Sequence, residues 1–357
     1  MHVLTTCARW RDEGTGCGRA TVVRAIGSSP FRVGSTLIVA DDGRLAGSVS
    51  AGCVEGAAAE AIVAARKGHY RELVRYGVSD ERAAEVGLAC GGVIDVLIEP
   101  DVPSEAVSAV TGARAMAIAT PLPVGRESAE ARRVCLDATG ITSGSLGDPA
   151  ADEQLANLAV ATLHDGASRT VQVGPRAVYI DVVVRPALLV IVGGGEIAVH
   201  LVRLAHAFGF RTAVIDARPA FVTPERFPDA DGLFVGWADE LADRVGIDED
   251  AHVVVLSHDP KFDDPALATG LRRRARYVGA LGSTRTHAAR LTRLREAGVG
   301  EADLVRIHGP IGIDLGAHAP ADIALGILAE IVAERNRGAG GGPDTVGRQA
   351  DEGSTAG

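Results

Sequence analysis

The chain of 357 residues is long enough for two domains with their own cores, and with 46% hydrophobic but only 4% aromatic residues those cores must be built from Ala, Val, Leu and Ile. A formal charge of −10 and a pI of about 5.5 repel phosphate backbones and anionic membranes, and no basic stripe interleaved with aromatics appears, so no nucleic-acid or membrane partner is expected. The N-terminus lacks a basic stretch leading into an apolar one, and nowhere do about 18 apolar residues run together, which predicts a soluble cytoplasmic protein.

In chain order, Ala20 to Ala25 reads as a strand, Ser28-Ser29-Pro30 as a turn and Ser35 to Ala40 as a second strand. A glycine-rich turn then enters a helix from about Val54 to Lys67, capped by Gly68, and Val93 to Glu99 is a further strand. The same order returns downstream. Ala115 to Ala119 and Arg133 to Leu136 are strand-like, and GITSGSLGDPAADEQLANLAVATLHDG repeats the turn and helix. Gly43, Gly47 and Ser48 match Gly140, Gly144 and Ser145 at an offset of 97, and Ile94-Asp95-Val96 matches Ile180-Asp181-Val182 at an offset of 86. The second copy is therefore shorter by 11 residues: it lacks the stretch Gly77 to Gly92, having only a link around Gly174-Pro175.

Five cysteines, Cys7, Cys17, Cys53, Cys90 and Cys135, with no CxxC pair, fit reduced thiols better than a disulfide framework or a structural zinc site. Cys53 and Cys90 occur only in the first copy; Ala150 stands where Cys53 would repeat. An isolated cysteine is most often a small buried hydrophobe. Cys53, however, opens a helix, where unpaired N–H groups and the helix dipole favour a thiolate, and Cys90 lies in a turn whose glycines allow close approach. Both are candidates for chemistry, whereas Cys7, Cys17 and Cys135 read as structural or incidental.

The second half is organised around PALLVIVGGGEIAVHLVRLAHAFGFRTAVIDARP, Pro186 to Pro219. Leu188 to Val192 is a strand buried on both faces, Gly193, Gly194 and Gly195 form a tight turn, and Glu196 to about Phe208 has helical spacing. Thr212 to Ile215 is a second strand ending in Asp216, where the dinucleotide fingerprint puts the acid that holds a ribose hydroxyl. Leu233 to Val235 and His252 to Leu256 continue the strand series around a helix from Ala238 to Val245, and the fourth strand ends in Ser257-His258-Asp259, where such sheets bind ligands. Asp263 to Ala275 is helical and Tyr277 to Leu281 a strand. Gly282, Ser283 and Arg285 open a helix to about Ala297 as an anion site, although a plain cap explains Ser283 as well. The apolar glycine-rich loop Ile307 to Gly316, with His308, Gly309 and Asp314, reads as a lining loop ahead of a helix opened by Pro320 and running to about Arg335. The fold class is α/β: an N-terminal α/β domain (1–185) with an internal repeat, a C-terminal Rossmann-like doubly wound parallel sheet (186–337) and a disordered tail (338–357).

GSVSAGCVEG, VSDERAAEVGLACGG, the VGGGEIA turn with VIDARP, LSHDPKFDDPAL, YVGALGS and HGPIGIDLGAHAPADIALGILAEI occur in the order typical of the XdhC/CoxI family, which this chain resembles from about Ala20 to Asn336. Ala51 departs from the family, which more often has glycine beside the cysteine. The resemblance implies an accessory protein that binds the molybdenum cofactor (molybdopterin), helps equip it with its terminal sulfido ligand and delivers it to an apo molybdenum hydroxylase of the xanthine or CO dehydrogenase type. A homodimer and a cysteine desulfurase partner accord with that role. Molybdenum accepts soft thiolate ligands, so Cys53 and Cys90 are the candidates to hold the metal end or handle sulfur. The anionic end would go either to Gly193, Gly194, Gly195 and Glu196 or to the helix start at Gly282 and Ser283. Two other readings stand beside this one: an NAD(P)-dependent oxidoreductase, with His258, His308 and Asp314 as its only suggestive groups, and a sulfurtransferase carrying persulfide on Cys53 or Cys90.

Overall fold

Two copies of one antiparallel unit make up the first half of the computed structural model, which describes residues 3–27, 32–77, 92–112, 114–130, 132–316 and 318–338. Helix α1 (Val3–Asp12) leads into β1 (Cys17–Ile26), β2 (Thr36–Ala40), β3 (Leu45–Gly47), α2 (Glu55–Gly68), β4 (Tyr70–Tyr76) and β5 (Val93–Glu99). Helix α3 (Ser104–Thr111) precedes the second copy, β6 (Met116–Pro121), β7 (Glu127–Ser128), β8 (Val134–Asp137), β9 (Gly140–Ser143), α4 (Pro149–Asp165), β10 (Arg169–Val173) and β11 (Arg176–Val183). The orders β3-β2-β1-β5-β4 and β9-β8-β6-β11-β10 place equivalent strands alike, so the sequence repeat is a repeat of topology.

Its glycine matches have a steric cause. Gly47 and Gly144 both have φ of 82°, and a Cβ would come within 2.1 Å of the Thr36 carbonyl oxygen at one and 2.0 Å of the Arg133 oxygen at the other. The two copies differ where the alignment says they should: Gly174-Pro175 makes the short β10–β11 turn, while the insert joins β4 to β5. Residues 78–91 of that insert, including Cys90, lie outside the described residues, as do Ser28-Ser29-Pro30 and the tail from 339.

Local structure corrects the sequence reading in places. Helix α2 is closed by His69, which takes the left-handed conformation (φ 49°) and donates its N–H to the Ala65 oxygen, rather than by Gly68. The segments forming α1, α3, β4, β7 and β10 were not anticipated. Helices α1 and α3 cover one face of the first half, packing Leu4, Trp10, Ala106 and Val107 around Ile38 and Ile118. Cys7 and Cys17 meet in that core at 2.7 Å, both buried and free of disulfides.

Charge joins the two copies. Arg19 on β1 is 1% exposed; its Nε donates to Glu99 Oε2 on β5 at 2.5 Å and its Nη1 to Asp181 Oδ2 on β11 at 2.7 Å. Arg133 Nη2 donates to the other Glu99 oxygen at 2.9 Å. Burial alone would raise the Glu99 carboxyl, but Arg19 and Arg133 hold it below the ordinary carboxylate range.

The second half is β12 (Leu188–Val192), α5 (Glu196–Ala207), β13 (Arg211–Asp216), a 3-10 turn (Pro219–Phe221), β14 (Gly232–Val235), α6 (Ala238–Val245), β15 (His252–Val255), α7 (Pro260–Arg272), β16 (Tyr277–Ala280), α8 (Thr284–Glu296), α9 (Glu301–Leu304), β17 (Ile307–His308) and α10 (Pro320–Gly338). Its strands are parallel in the order β14-β13-β12-β15-β16-β17. This is a doubly wound Rossmann sheet, with its switch point between β12 and β15. All five β12 residues are buried: Leu188, Val190 and Val192 pack towards α6 and α7, Leu189 and Ile191 towards α5 and α10. Ile307-His308, read as loop, instead pairs with Val278 and Gly279 as an edge strand. Helix α7 starts at Pro260, earlier than expected, because Asp259 accepts from the Lys261 N–H as its cap. No helix among the described residues is long and apolar enough to cross a membrane.

Arg19→Ala strands Glu99 and Asp181 without their shared cation, so the unfolding free energy in urea should fall by about 3–5 kcal/mol at pH 7. The folded pKa of Glu99 lies below its unfolded value, so its contribution is present above about pH 4 and is lost as pH falls through the folded pKa. The gap between wild type and variant should therefore narrow on acidification; an equal gap at pH 7 and pH 3 refutes this account.

Candidate functional site

Cys53 sits on a turn built around a carboxylate. Glu55, the first residue of α2, folds back so that Oε1 accepts from the Ser48 hydroxyl, the Val49 N–H at 3.2 Å and the Ser50 N–H at 2.8 Å. Its Oε2 accepts from the Ser50 hydroxyl at 2.5 Å and the Gly52 N–H at 2.7 Å. Burial opposes the charge, but these donors lower the Glu55 carboxyl to about 2. The Val54 N–H is engaged by Ser50 Oγ at 2.8 Å. Thus several amides around the turn that the sequence offered to a thiolate already have an acceptor. Cys53 itself is partly exposed and leans on the core cluster of Val54 and Ala58. The second copy keeps the device at the same offset: Asp152 accepts from the Ser145 hydroxyl at 2.6 Å and the Leu146 N–H at 2.7 Å. That correspondence, Ser48 with Glu55 against Ser145 with Asp152, was visible in the repeat, although the sequence reading passed over Glu55.

At the switch point, Gly193 brings β12 so close to β15 that a Cβ there would lie 2.9 Å from the Ser257 nitrogen. The glycine turn is covered from within. Asp216 is 2% exposed, its Oδ2 accepting from the Gly194 N–H (2.9 Å) and Arg218 Nη2 (2.8 Å), its Oδ1 from the Arg218 N–H and Nε, both at 2.9 Å. Burial raises this carboxyl, but the Arg218 and Gly194 donors outweigh it and hold it below the usual range. Arg226 Nη2 donates to the Gly194 oxygen at 3.0 Å, and a Cβ on Gly194 would meet the Phe221 oxygen at 2.4 Å. Gly195 alone of the three faces open space, and Glu196 at the helix start is 62% exposed.

Beyond β15 and β16 the crevice opens. Exposed His258 and Arg285 line a pocket of about 270 Å³ between α7 and α8, together with Asp263, Thr286, Arg290 and Arg293. Ser283 caps α8 by accepting from the Thr286 N–H at 3.1 Å. On the other side of Gly282 lies a pocket of about 510 Å³ lined by Gly282, Pro310, Gly312, Ile313, Asp314 and Asp322. Its loop is held by Glu330, which meets His308 Nδ1 at 2.6 Å and accepts from the Gly312 N–H, while Tyr277 stacks on His308 at 4.5 Å. Gly309 lies against His287: a Cβ there would be 2.1 Å from its Nδ1. Asp314 is exposed and accepts from the Gly316 N–H at 2.8 Å.

The fold thus gathers His258 with Arg285 in one pocket and Gly282 with Asp314 in the other, and Gly193 lies against Ser257, the neighbour of His258. Cys53 belongs to the first-half sheet, and Arg185 with Asp248, at 3.1 Å, bridges the two halves at the surface. Among the described residues no group of three or more His, Cys, Asp or Glu is arranged to hold a metal ion. Sequence reasoning missed Arg290, which is buried in the pocket with His258, and the covering residues Phe221 and Arg226. Nothing local distinguishes Arg290 from the other arginines of α8.

Comparisons with known proteins accord with this architecture. Residues 189–331 match the model described as the XdhC Rossmann domain, and residues 10–77 that of the XdhC and CoxI family. The chain is 28% identical over 327 residues to the Escherichia coli K12 molybdenum cofactor insertion chaperone PaoD, covering 90% of this chain and 85% of that protein. It is 27% identical over 338 residues to a Bacillus subtilis 168 protein named as a probable xanthine dehydrogenase subunit, covering 89% of this chain and 93% of that one. A Bacillus halodurans crystal structure described as a xanthine dehydrogenase shares the fold, with a TM-score of 0.76 at 22% identity over 94% of this chain and 96% of that one.

Ala51 has φ of 60°, in the left-handed region where a Cβ costs about 1–2 kcal/mol. Ala51→Gly should raise the midpoint of thermal unfolding, and Glu55→Ala, which strands the donors of the turn, should lower stability by about 1–3 kcal/mol and speed alkylation of Cys53. Equal alkylation rates in wild type and Glu55→Ala would show that the carboxylate does not order the thiol.

Proposed function

Because the chain belongs to the XdhC/CoxI family, we propose that it receives the molybdenum cofactor as cargo, assists in fitting the terminal sulfido ligand and passes the cofactor to an apo molybdenum hydroxylase of the xanthine or CO dehydrogenase type. The observation carrying this reading is the crevice at the carboxyl ends of the Rossmann strands, where Arg285 and Arg290 line one pocket and Gly282 and Asp314 the next, in a chain aligned over most of a relative named as an insertion chaperone for that cofactor.

The residues fit such a cargo at its two ends differently. An anionic phosphate finds cationic side chains at the mouth. The metal end finds the partly exposed thiol of Cys53, a soft donor on an ordered turn, with Cys90 as the second thiol of the same half. A partly exposed thiol on an ordered turn suits a carrier that must release its metal end again. Transfer of sulfur from a cysteine desulfurase and assembly as a homodimer belong to the same proposal. Hydride transfer to a dinucleotide is disfavoured, because Asp216 already accepts two donors on each oxygen and leaves no position for a ribose hydroxyl.

Protein purified from a molybdopterin-competent host should carry a pterin through gel filtration. Cys53→Ala combined with Cys90→Ala should cut the pterin retained by at least about tenfold, the scale of a single lost ligand interaction, and leave the client hydroxylase poorly activated. Unchanged retention together with unchanged activation would remove the thiols from the mechanism.

A further inference from the structure

Arg290 on α8 is 1% exposed, yet only one of its guanidinium nitrogens is engaged: Nη2 donates to the Leu281 oxygen at 2.8 Å and lies 3.5 Å from Asp263 Oδ2. Its Nε and Nη1 are buried with no acceptor among the described residues. Buried charged donors without acceptors are costly, so the site has the chemistry of a place that an acceptor visits. Arg290 lines the pocket of about 270 Å³ at the start of α8. Arg285 lines the same pocket, is exposed, and has no side-chain partner among the described residues. Ser283 and Thr286 supply hydroxyls nearby, and the 13-residue helix directs its N-terminal dipole at the same end. Of the other charges in the lining, Arg293 is held by Asp264 at 2.6 and 3.0 Å, and Asp263, the single carboxylate there, accepts from the Ser257 hydroxyl at 2.5 Å and forms a long ion pair with Arg290 Nη2 at 3.5 Å, which leaves Arg290 Nε and Nη1 for an anion.

At the glycine turn the groups of Gly194 are engaged. Its Gly194 N–H is donated to Asp216, its Gly194 oxygen is taken by Arg226, and Phe221 lies against its backbone. Arg218 pairs with Asp216 and stacks over the Phe221 ring at 3.7 Å, closing the cover. The two ends of one crevice therefore differ: at the turn the Gly194 N–H has its acceptor and Arg226 Nε alone of the covering guanidinium is left without one, whereas at α8 both Nε and Nη1 of Arg290 lack an acceptor among the described residues.

We propose that the pocket between α7 and α8 is a tetrahedral-oxyanion site in which Arg290 and Arg285 bind a phosphate or diphosphate group, and that the Gly193–Gly195 turn binds none. This deepens the reading of the chain as a cofactor carrier, since the phosphate-bearing end of the pterin cargo is then seated at α8; free inorganic oxyanion has the same chemistry.

Titration calorimetry of the full chain with inorganic pyrophosphate reads the site directly, and pterin content of the same preparations separates the two sources. Wild type should bind pyrophosphate saturably. Arg285→Gln, an exposed position, should weaken it by about tenfold, the scale of one charge-assisted contact, and Arg290→Lys should weaken it further. Gly195→Ala tests the rival location: its φ is −72° and a Cβ there meets nothing within 4 Å, so the fold accepts it while a ligand seated on the turn does not. Pyrophosphate affinity should be unchanged in Gly195→Ala. Absent binding in wild type, equal affinity in Arg285→Gln, or a loss confined to Gly195→Ala would each overturn the proposal. Pterin lost together with pyrophosphate in Arg285→Gln supports the cargo phosphate as occupant. If pyrophosphate binds through Arg285 but no preparation holds pterin, the oxyanion site stands and the carrier reading falls.

Discussion

A single buried guanidinium determines how the first half is assembled. Arg19 leaves β1, pairs with Glu99 on the adjacent β5 and reaches Asp181 on β11, so one cation is shared by the two repeated sheets. Arg133 completes the pairing of Glu99 from the second copy. Two sheets with similar apolar faces have many near-equivalent ways to pack; a desolvated ion cluster is satisfied in few of them. The Thr170 hydroxyl donating to the Val23 oxygen at 2.7 Å and the pairing of β4 with β7 act across the same junction. The position of the Cys53 turn relative to the rest of the chain follows from that arrangement, because α2 packs on β1, β2 and β5.

Carboxylates recur as internal partners of backbone N–H groups in the glycine-rich segments. Glu55 gathers the amides of the Cys53 turn, Asp152 those of its copy, Asp216 the glycine turn and Glu330 the loop at Gly312. Each occupies donors that a glycine-rich loop otherwise presents to an anion. Glycine was needed at these places for geometry, as at Gly47 and Gly144, where a Cβ would run into a carbonyl, and the carboxylate then satisfied what the geometry exposed. The start of α8 departs from this habit. There the unsatisfied donors belong to an arginine side chain, which suits a group that arrives with its own charge.

Much of the fold was legible in the chain. Leu188 to Val192 reads as a fully buried strand because both of its faces are covered by helices, and that leaves a continuous apolar run in the sequence. The repeat was legible because positive-φ glycines recur at one spacing. Helices α1 and α3 were not, since each is short and only part of its surface is apolar, and β17 is two residues held by its neighbour β16 rather than by its own pattern.

The sequence by itself determined the twofold repeat with its shared turn and helix, the strand and helix alternation of the Rossmann half and the family, all of which rest on local spacing of apolar residues, glycines and short motifs. Tertiary structure alone decided which donors and acceptors are already engaged: that Asp216 is filled by Gly194 and Arg218, that Glu55 holds the turn beside Cys53, and that Arg290 is buried with two nitrogens lacking an acceptor among the described residues. A motif records that a donor exists at a position. Whether that donor is satisfied depends on residues that only the packed chain brings near, as Arg19 and Asp181 are brought together across 162 positions.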